Sequence, residues 1–297
     1  MRAFLALAWD VPRRIRTGWF FWILLLLVAG VLALVALPLG TRTTDDSLLR
    51  LTWFGNVVDL PDPDHPGKEL IDVKRSIEVY LASFIGIFFG CGFGVFAGLV
   101  ALADAVSSAF VPGAAEINLP KPVRRGTIII ARHLGALWVA TGFAVLLIGG
   151  AVAIAALKTG VLAPIPLVYI PVSVASFGVL HAVGSIASSR APNALVSAFA
   201  SVGMWLASLA TYLPNMIPGA HDLSGMLKHI VDGVDLLHRV IPRPTDIPGL
   251  ANRIIEHKFG NAVDVTPAYE YELMGQSAAW WLLALFLAIL VARRRDF

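Results

Sequence analysis

Residues 19–37 read WFFWILLLLVAGVLALVAL, a run without a charged side chain. A helix needs about 20 mostly apolar residues to cross the hydrocarbon core of a bilayer. The run therefore predicts a transmembrane helix, with Trp19 and Trp22 placed at a membrane interface. A cleaved signal peptide is the alternative, but the leader is long, the run exceeds a usual h-region and no clean small-x-small site follows.

The composition of the whole chain agrees with this first run. Of 297 residues, 57% are apolar and 14% are charged, and the mean hydropathy is +0.76. Soluble domains carry about 25% charged residues. Because this chain carries far fewer, we expect a large part of the protein surface to face lipid. The net charge of +3 is small. Its basic residues are scattered and do not alternate with aromatic ones, which argues against nucleic-acid binding.

Five further apolar runs predict a total of six transmembrane helices. They cover residues 79–103, about 128–157, a proline-interrupted stretch within 161–189, 195–213 and 277–292. The last run is short, but tryptophans at one end and arginines at the other anchor it: Trp280, Trp281, Arg293, Arg294 and Arg295. The predicted fold is an all-α integral membrane protein, with residues 1–297 forming a single transmembrane domain.

Lysine and arginine placement predicts the orientation. Basic residues near the span ends are denser on the side that holds both termini, so we expect both termini in the cytoplasm and the protein in the inner (cytoplasmic) membrane. We call residues 1–18 the leader. Their pattern predicts an interfacial helix, which Pro12 would kink or end. Its basic residues would face lipid headgroups and its apolar residues acyl chains: Arg2, Arg13, Arg14 and Arg16; Phe4, Leu5, Leu7 and Trp9.

Two longer segments are predicted on the outer side. Residues 40–78 are acidic and rich in proline, which favours an extended, solvated loop over a metal site. Residues 214–275 predict a small cap of two or three short helices, in which His229 with Asp232 and Asp235 with His238 share helix faces. An ordinary amphipathic surface is favoured there over metal-ligand pairs. The single cysteine, Cys91, is expected to be a small packed hydrophobe, and no metal site is predicted.

Two features lie inside the predicted spans. Gly86, Gly90, Gly94 and Gly98 recur every fourth residue and predict a smooth face for helix packing or dimer formation. His181 is the candidate polar site within the membrane. A neutral histidine bonded to a neighbouring helix is favoured there over a proton relay. Ser185, one turn on, lacks a third orienting group for catalysis.

The chain contains no phosphate-binding loop of the GxxxxGK[ST] type and no other catalytic motif. We therefore predict that it is not an enzyme.

The segment predicted between the second and third spans, 104–128, carries a resemblance. It begins DAVSSAFVPGAAEINLPKPVRRG and resembles the corresponding segment of type-2 ABC exporter permeases. That pattern is a glycine, an acidic residue, a leucine, a Pro-Val-x-Arg turn and then a basic residue before a glycine: Gly113, Glu116, Leu119, Pro122, Val123, Arg125, Arg132 and Gly135. Ala114 and Ala115 depart from it, because relatives often carry more polar residues there.

The resemblance implies a coupling helix that rests in a cleft of a separate ATPase chain, which would bind ATP and Mg²⁺. A second permease copy or a paralogue would complete the translocation path, and the substrate stays open. The implied coupling residues are Asp104, Phe110, Gly113, Glu116, Leu119, Lys121, Arg124 and Arg125. Alternatively, the basic residues only hold the loop inside by touching lipid phosphates. A non-transporting membrane scaffold and an ion-coupled secondary carrier are the competing functions.

Overall fold

The described part of the fold is mainly helical. A computed structural model describes residues 2–43, 49–53, 55–57, 77, 81, 93–111, 124–216, 224–244, 246 and 267–294. In chain order the helices are α1 (Arg2–Thr17), α2 (Trp19–Ala36), α3 (Phe93–Leu102), α4 (Asp104–Ser107), α5 (Arg125–Ala144), α6 (Gly150–Thr159), α7 (Tyr169–Arg190), α8 (Ala194–Met216), α9 (Met226–Val240) and α10 (Pro267–Arg293). A π-helical turn, Val145–Gly149, joins α5 to α6, and a 3-10 turn, Ile165–Val168, leads into α7.

Five helical stretches are long and apolar enough to cross a membrane: Trp19–Ala36, Arg125–Thr159, Ile165–Arg190, Ala194–Tyr212 and Tyr271–Arg293. They correspond to five of the six predicted spans, so the prediction of a helical membrane protein is confirmed. The remaining predicted span, 79–103, is described only as α3 and the single position Leu81. Its other residues lie outside the described part of the chain.

The leader forms one helix that includes Pro12 and ends at Thr17, so Pro12 does not end it. A proline cannot donate a hydrogen bond to the carbonyl four residues earlier, here that of Ala8. Packing sustains the helix instead, because its Val11 side chain is only 1% exposed. Leu5 and Trp9 remain 56% and 53% exposed, as expected of an interfacial helix.

A small antiparallel sheet follows α2 where the sequence predicted only a loop. Its strands are β1 (Leu39–Thr43), β2 (Leu49–Trp53) and β3 (Asn56–Val57), paired in the order β1-β2-β3. Leu39 pairs with Trp53 and Thr43 with Leu49. Extended chain readily satisfies its backbone groups by pairing, and the threonines and apolar residues here favour strands. The acidic proline-rich stretch 59–66 lies outside the described residues.

Apolar clusters mark the two ends of the helix bundle. One cluster includes Val106, Phe110, Ile128, Ala288 and Ala292 and joins α4, the start of α5 and the end of α10. We call this end of the bundle the base. A second cluster lies at the opposite, far end and joins the end of α2 to α6 and the start of α7.

Small residues permit the closest helix contacts. A methyl group on Gly184 of α7 would collide with Ser197 and Ser201 of α8. A methyl group on Gly178 would lie 2.7 Å from the ring of Trp281 in α10. Small residues are the usual means of close approach between transmembrane helices, because lipid gives little hydrophobic drive for association.

Candidate functional site

A buried arginine joins three elements at the base. Arg132 of α5 is 3% exposed, and its Nη2 donates a hydrogen bond to Oδ2 of Asp10 in α1 at 2.7 Å. Its Nη1 donates to Oγ of Ser108 at 2.7 Å and to the carbonyl of Ala105 at 3.1 Å. The rigid fork of a guanidinium suits such divergent contacts. Arg132 therefore connects the leader, α5 and the segment that follows α3.

A glycine one turn further along α5 sets the distance between α5 and the leader. A Cβ atom on Gly135 would collide with the carbonyl oxygen of Ala8 and lie 2.9 Å from two atoms of Val11. Because Pro12 has no N–H to donate, the Ala8 carbonyl lacks its usual helical partner. Gly135 thus leaves room for both the Ala8 carbonyl and the Val11 side chain. Sequence resemblance alone had singled out Arg132 and Gly135. In the structure both residues contact the leader.

Four of the eight predicted coupling residues lie in the described part of the chain. Asp104 and Arg124 are exposed, and Arg124 directly precedes α5. Phe110 is 1% exposed and packs in the cluster at the base, so its side chain faces the protein interior. Arg125 is partly buried, and its Nη1 donates to the carbonyl of Ala292 at 3.1 Å, near the end of α10. The others lie outside the described residues: Gly113, Glu116, Leu119 and Lys121.

Half of the predicted glycine face lies in the described chain. A Cβ atom on Gly98 would sit 3.6 Å from the ring of Phe177 in α7, an ordinary contact distance. Gly94 and Gly98 also line an apolar cavity of about 60 Å³, together with Val28, Phe143 and Phe177. The cavity lies between α2, α3, α5 and α7. Gly86 and Gly90 lie outside the described residues.

His181 takes part in a chain of hydrogen bonds that crosses the bundle. Its Nδ1 lies 2.9 Å from Nδ1 of His133 in α5, and its Nε2 lies 3.4 Å from the carbonyl oxygen of Leu102 in α3. Nε1 of Trp281 in α10 donates to Nε2 of His133 at 2.8 Å. The predicted bond from His181 to a neighbouring helix is therefore present, and His133 is a member that the sequence analysis did not single out.

The geometry fixes the direction of every bond in this chain. An indole nitrogen can only donate, so His133 accepts at Nε2 and carries its proton on Nδ1. That proton goes to Nδ1 of His181, which must then carry its own proton on Nε2 and donate it to Leu102. Both rings are neutral in this arrangement. The chain links α3, α5, α7 and α10 without a charge inside the membrane.

Removing the first donor of this chain should destabilise the protein. We expect Trp281→Phe to lower the free energy of unfolding by about 1–2 kcal/mol, because the mutation leaves Nε2 of buried His133 without its partner. Trp138→Phe is the matched control, because Trp138 is 65% exposed on α5. Titration of each detergent-solubilised variant with SDS measures its unfolding midpoint. Equal effects of the two mutations would show that the hydrogen bond from Trp281 to His133 adds nothing measurable to stability.

A second buried polar cluster lies at the far end, where the sequence predicted a solvated helix surface. Nδ1 of His238 in α9 lies 3.0 Å from Oγ1 of Thr211 in α8, and Nε2 lies 3.0 Å from Oδ2 of Asp246. All three residues are at most 6% exposed. The partner of His238 is thus Asp246, eight residues on, rather than Asp235 on the same helix. This cluster fixes the end of α9 against α8.

The described residues contain no group of three or more His, Cys, Asp or Glu residues placed to hold a metal ion. No known protein family matches the chain, and no curated protein is significantly similar to it.

Proposed function

We propose that this chain is the membrane-spanning subunit of an ATP-driven exporter, coupled to a separate ATPase chain. The observation that supports the proposal is the packed base. The segment resembling a coupling segment leaves the described structure at Val111 and re-enters at Arg124. Both points are fixed to the bundle, through Phe110 in the cluster at the base and through the bond from Arg125 to Ala292.

The contacts favour six crossings with both ends of the chain at the base. The leader and the end of α10 both meet the start of α5, through the Asp10–Arg132 and Arg125–Ala292 contacts. The end of α2 packs at the far end, whereas Ala105 contacts Arg132 at the base. Leu81 still packs in the far-end cluster, so the chain reaches the base between 81 and 105, and α3 is the described helix in that interval. In the proposed orientation the base faces the cytoplasm.

The base is suited to pass a movement of the coupling segment to several helices at once. Arg132 connects the segment after α3 to the leader and α5, and Phe110 packs with residues of α5 and α10. Packed interfaces tend to switch between arrangements as units. We infer that closure of the ATPase would displace the segment and shift α5 and α10 together. ATP and Mg²⁺ would bind to the ATPase, and a second permease copy or paralogue would complete the path.

Co-purification tests this function. The tagged protein, extracted in mild detergent, should carry a stoichiometric companion with a Walker-type phosphate loop, identified by mass spectrometry. Arg124→Glu should reduce the companion at least several-fold, because Arg124 is exposed beside the segment and charge reversal opposes a complementary partner surface. Lys228→Glu, an exposed charge on α9, should leave it unchanged.

Three other results would contradict the exporter proposal. An intact preparation with no ATPase companion would overturn the exporter proposal. An extracytoplasmic enzyme as the companion would identify a scaffold. A conductance insensitive to ATP after reconstitution would identify a channel or a secondary carrier.

A further inference from the structure

Helix α9 presents an apolar face that no described part of the protein covers. Six of its apolar side chains are each at least half exposed: Met226, Leu227, Ile230, Leu236, Leu237 and Val240. At 100° per residue these positions group on one side of the helix. The charged residues of the helix group on the other side: Lys228, Asp232, Asp235 and Arg239.

Hydrogen bonds to α10 fix the depth of the C-terminal end of α9. Nε2 of Gln276 donates to the carbonyl of Arg239 at 2.7 Å, and Nε1 of Trp280 donates to that of Val240 at 2.8 Å. Arg293 lies in the last turn of α10, at the base. Trp280 and Gln276 precede it by 13 and 17 residues, which is about 20 and 25 Å along a helix.

Two other helices place the same region at the same depth. Thr211, which contacts His238, lies 17 residues after Ala194 at the base end of α8, or about 25 Å. Ser176 donates to the carbonyl of Pro244 at 3.2 Å and precedes Arg190 at the base end of α7 by 14 residues, or about 20 Å.

These three measures agree, and they locate residues 238–244 relative to the membrane. The hydrocarbon core of a bilayer is about 30 Å thick. Arg190, Ala194 and Arg293 lie at the base, which we place at one boundary of this core, so a region about 20–25 Å away lies some 5–10 Å inside the other boundary. That is the depth at which interfacial amphipathic helices bury their apolar faces.

We propose that α9 lies in the membrane interface at the far end of the bundle, with its apolar face against the acyl chains of the phospholipid leaflet there. The driving force is burial of apolar side chains. Two basic and two acidic side chains balance on the opposite face, so attraction to anionic headgroups is not required. The leader occupies the other leaflet, and the two amphipathic helices together fix the bundle across the bilayer.

Lipid-borne quenchers test this position directly. In the full-length protein with Cys91→Ser, a single cysteine replaces either Ile230 on the apolar face or Asp232 on the charged face, and each is labelled with a small fluorophore. The protein is placed in nanodiscs of phosphatidylcholine containing a doxyl-labelled lipid. Both positions are exposed on the same helix, so the pair is matched for label accessibility. Leu237 and Lys228 provide a second matched pair.

We expect the label at position 230 to be quenched several-fold more than the label at 232. A doxyl group near the headgroups should quench it more than one at the bilayer centre. Adding phosphatidylglycerol should not change the ratio. Equal quenching at both positions, or quenching only with the anionic lipid, would overturn the proposal. A disulfide between two copies at position 230 without lipid quenching would assign the face to a second copy instead.

Discussion

Gly135→Leu should release the leader helix from the bundle. A leucine there would collide with the Ala8 carbonyl and with Val11, and neither can move without shifting the backbone of α1. Over-packing of this kind costs about 1–3 kcal/mol when the structure adjusts. Loss of the Asp10–Arg132 contact would add to that cost if α1 moves away. We therefore expect Gly135→Leu to destabilise the protein by more than over-packing alone would.

Gly142→Leu is the matched control for this substitution. Gly142 lies on the same helix, and a Cβ there would meet no atom within 4 Å. Both mutations bring the same gain in helix propensity, about 1 kcal/mol relative to glycine. The two variants are compared by their unfolding midpoints in SDS and by limited proteolysis of the leader. Equal midpoints and equal protease resistance would show that α1 does not depend on its contact with Gly135.

The Asp10–Arg132 pair should respond unequally to removal of its two members. Asp10→Ala removes the hydrogen-bonded counter-charge of a guanidinium that is 3% exposed. Because Asp10 itself is 48% exposed, we expect a cost of about 2 kcal/mol, less than that of breaking a fully buried pair. Arg132→Met removes the buried charge and fills much of the same space. The remaining Asp10 carboxylate is 48% exposed and can be hydrated. We therefore expect about 1 kcal/mol for this second change, largely from lost hydrogen bonds.

A double-mutant cycle measures this asymmetry. Asp10→Ala, Arg132→Met and the double variant are unfolded under the same conditions, and the double variant should be more stable than Asp10→Ala alone. Asp10→Asn, which keeps a hydrogen-bond acceptor but loses the charge, should fall between wild type and Asp10→Ala. A larger cost for Arg132→Met than for Asp10→Ala would mean that the hydrogen bonds outweigh the buried charge.

The helical membrane architecture could be predicted from apolar runs, because a span needs about 20 residues with few charges. Helix ends were less predictable. The last span was predicted from residue 277, whereas α10 begins at Pro267. Hydropathy detects the part of a helix that lies in lipid, and a helix that continues beyond the lipid carries polar residues such as Glu270 and Glu272. The short strands after α2 were missed for a related reason, because a polar extended segment gives no apolar signal.

The site residues could be predicted only in part, because tertiary contacts decide which side chains bond to each other. His181 stood out because it interrupts an apolar run, but His133 adjoins Arg132 and reads as part of a polar helix start. His238 fits the polar side of an amphipathic helix and is nevertheless buried, because the following turn brings Asp246 against it. Among glycines, spacing drew attention to Gly94 and Gly98. The tight contacts of Gly135, Gly178 and Gly184 follow no period and depend on the residue opposite.

The contact between Asp10 and Arg132 also has a consequence for biosynthesis. The two residues are 122 positions apart, so the ribosome completes the leader long before its binding site exists. At 5–20 residues per second the delay is on the order of 10 s. During that time α1 cannot yet contact α5, and its exposed Leu5 and Trp9 are available for attachment to the membrane surface. Docking of the leader onto α5 follows once α5 has been synthesised.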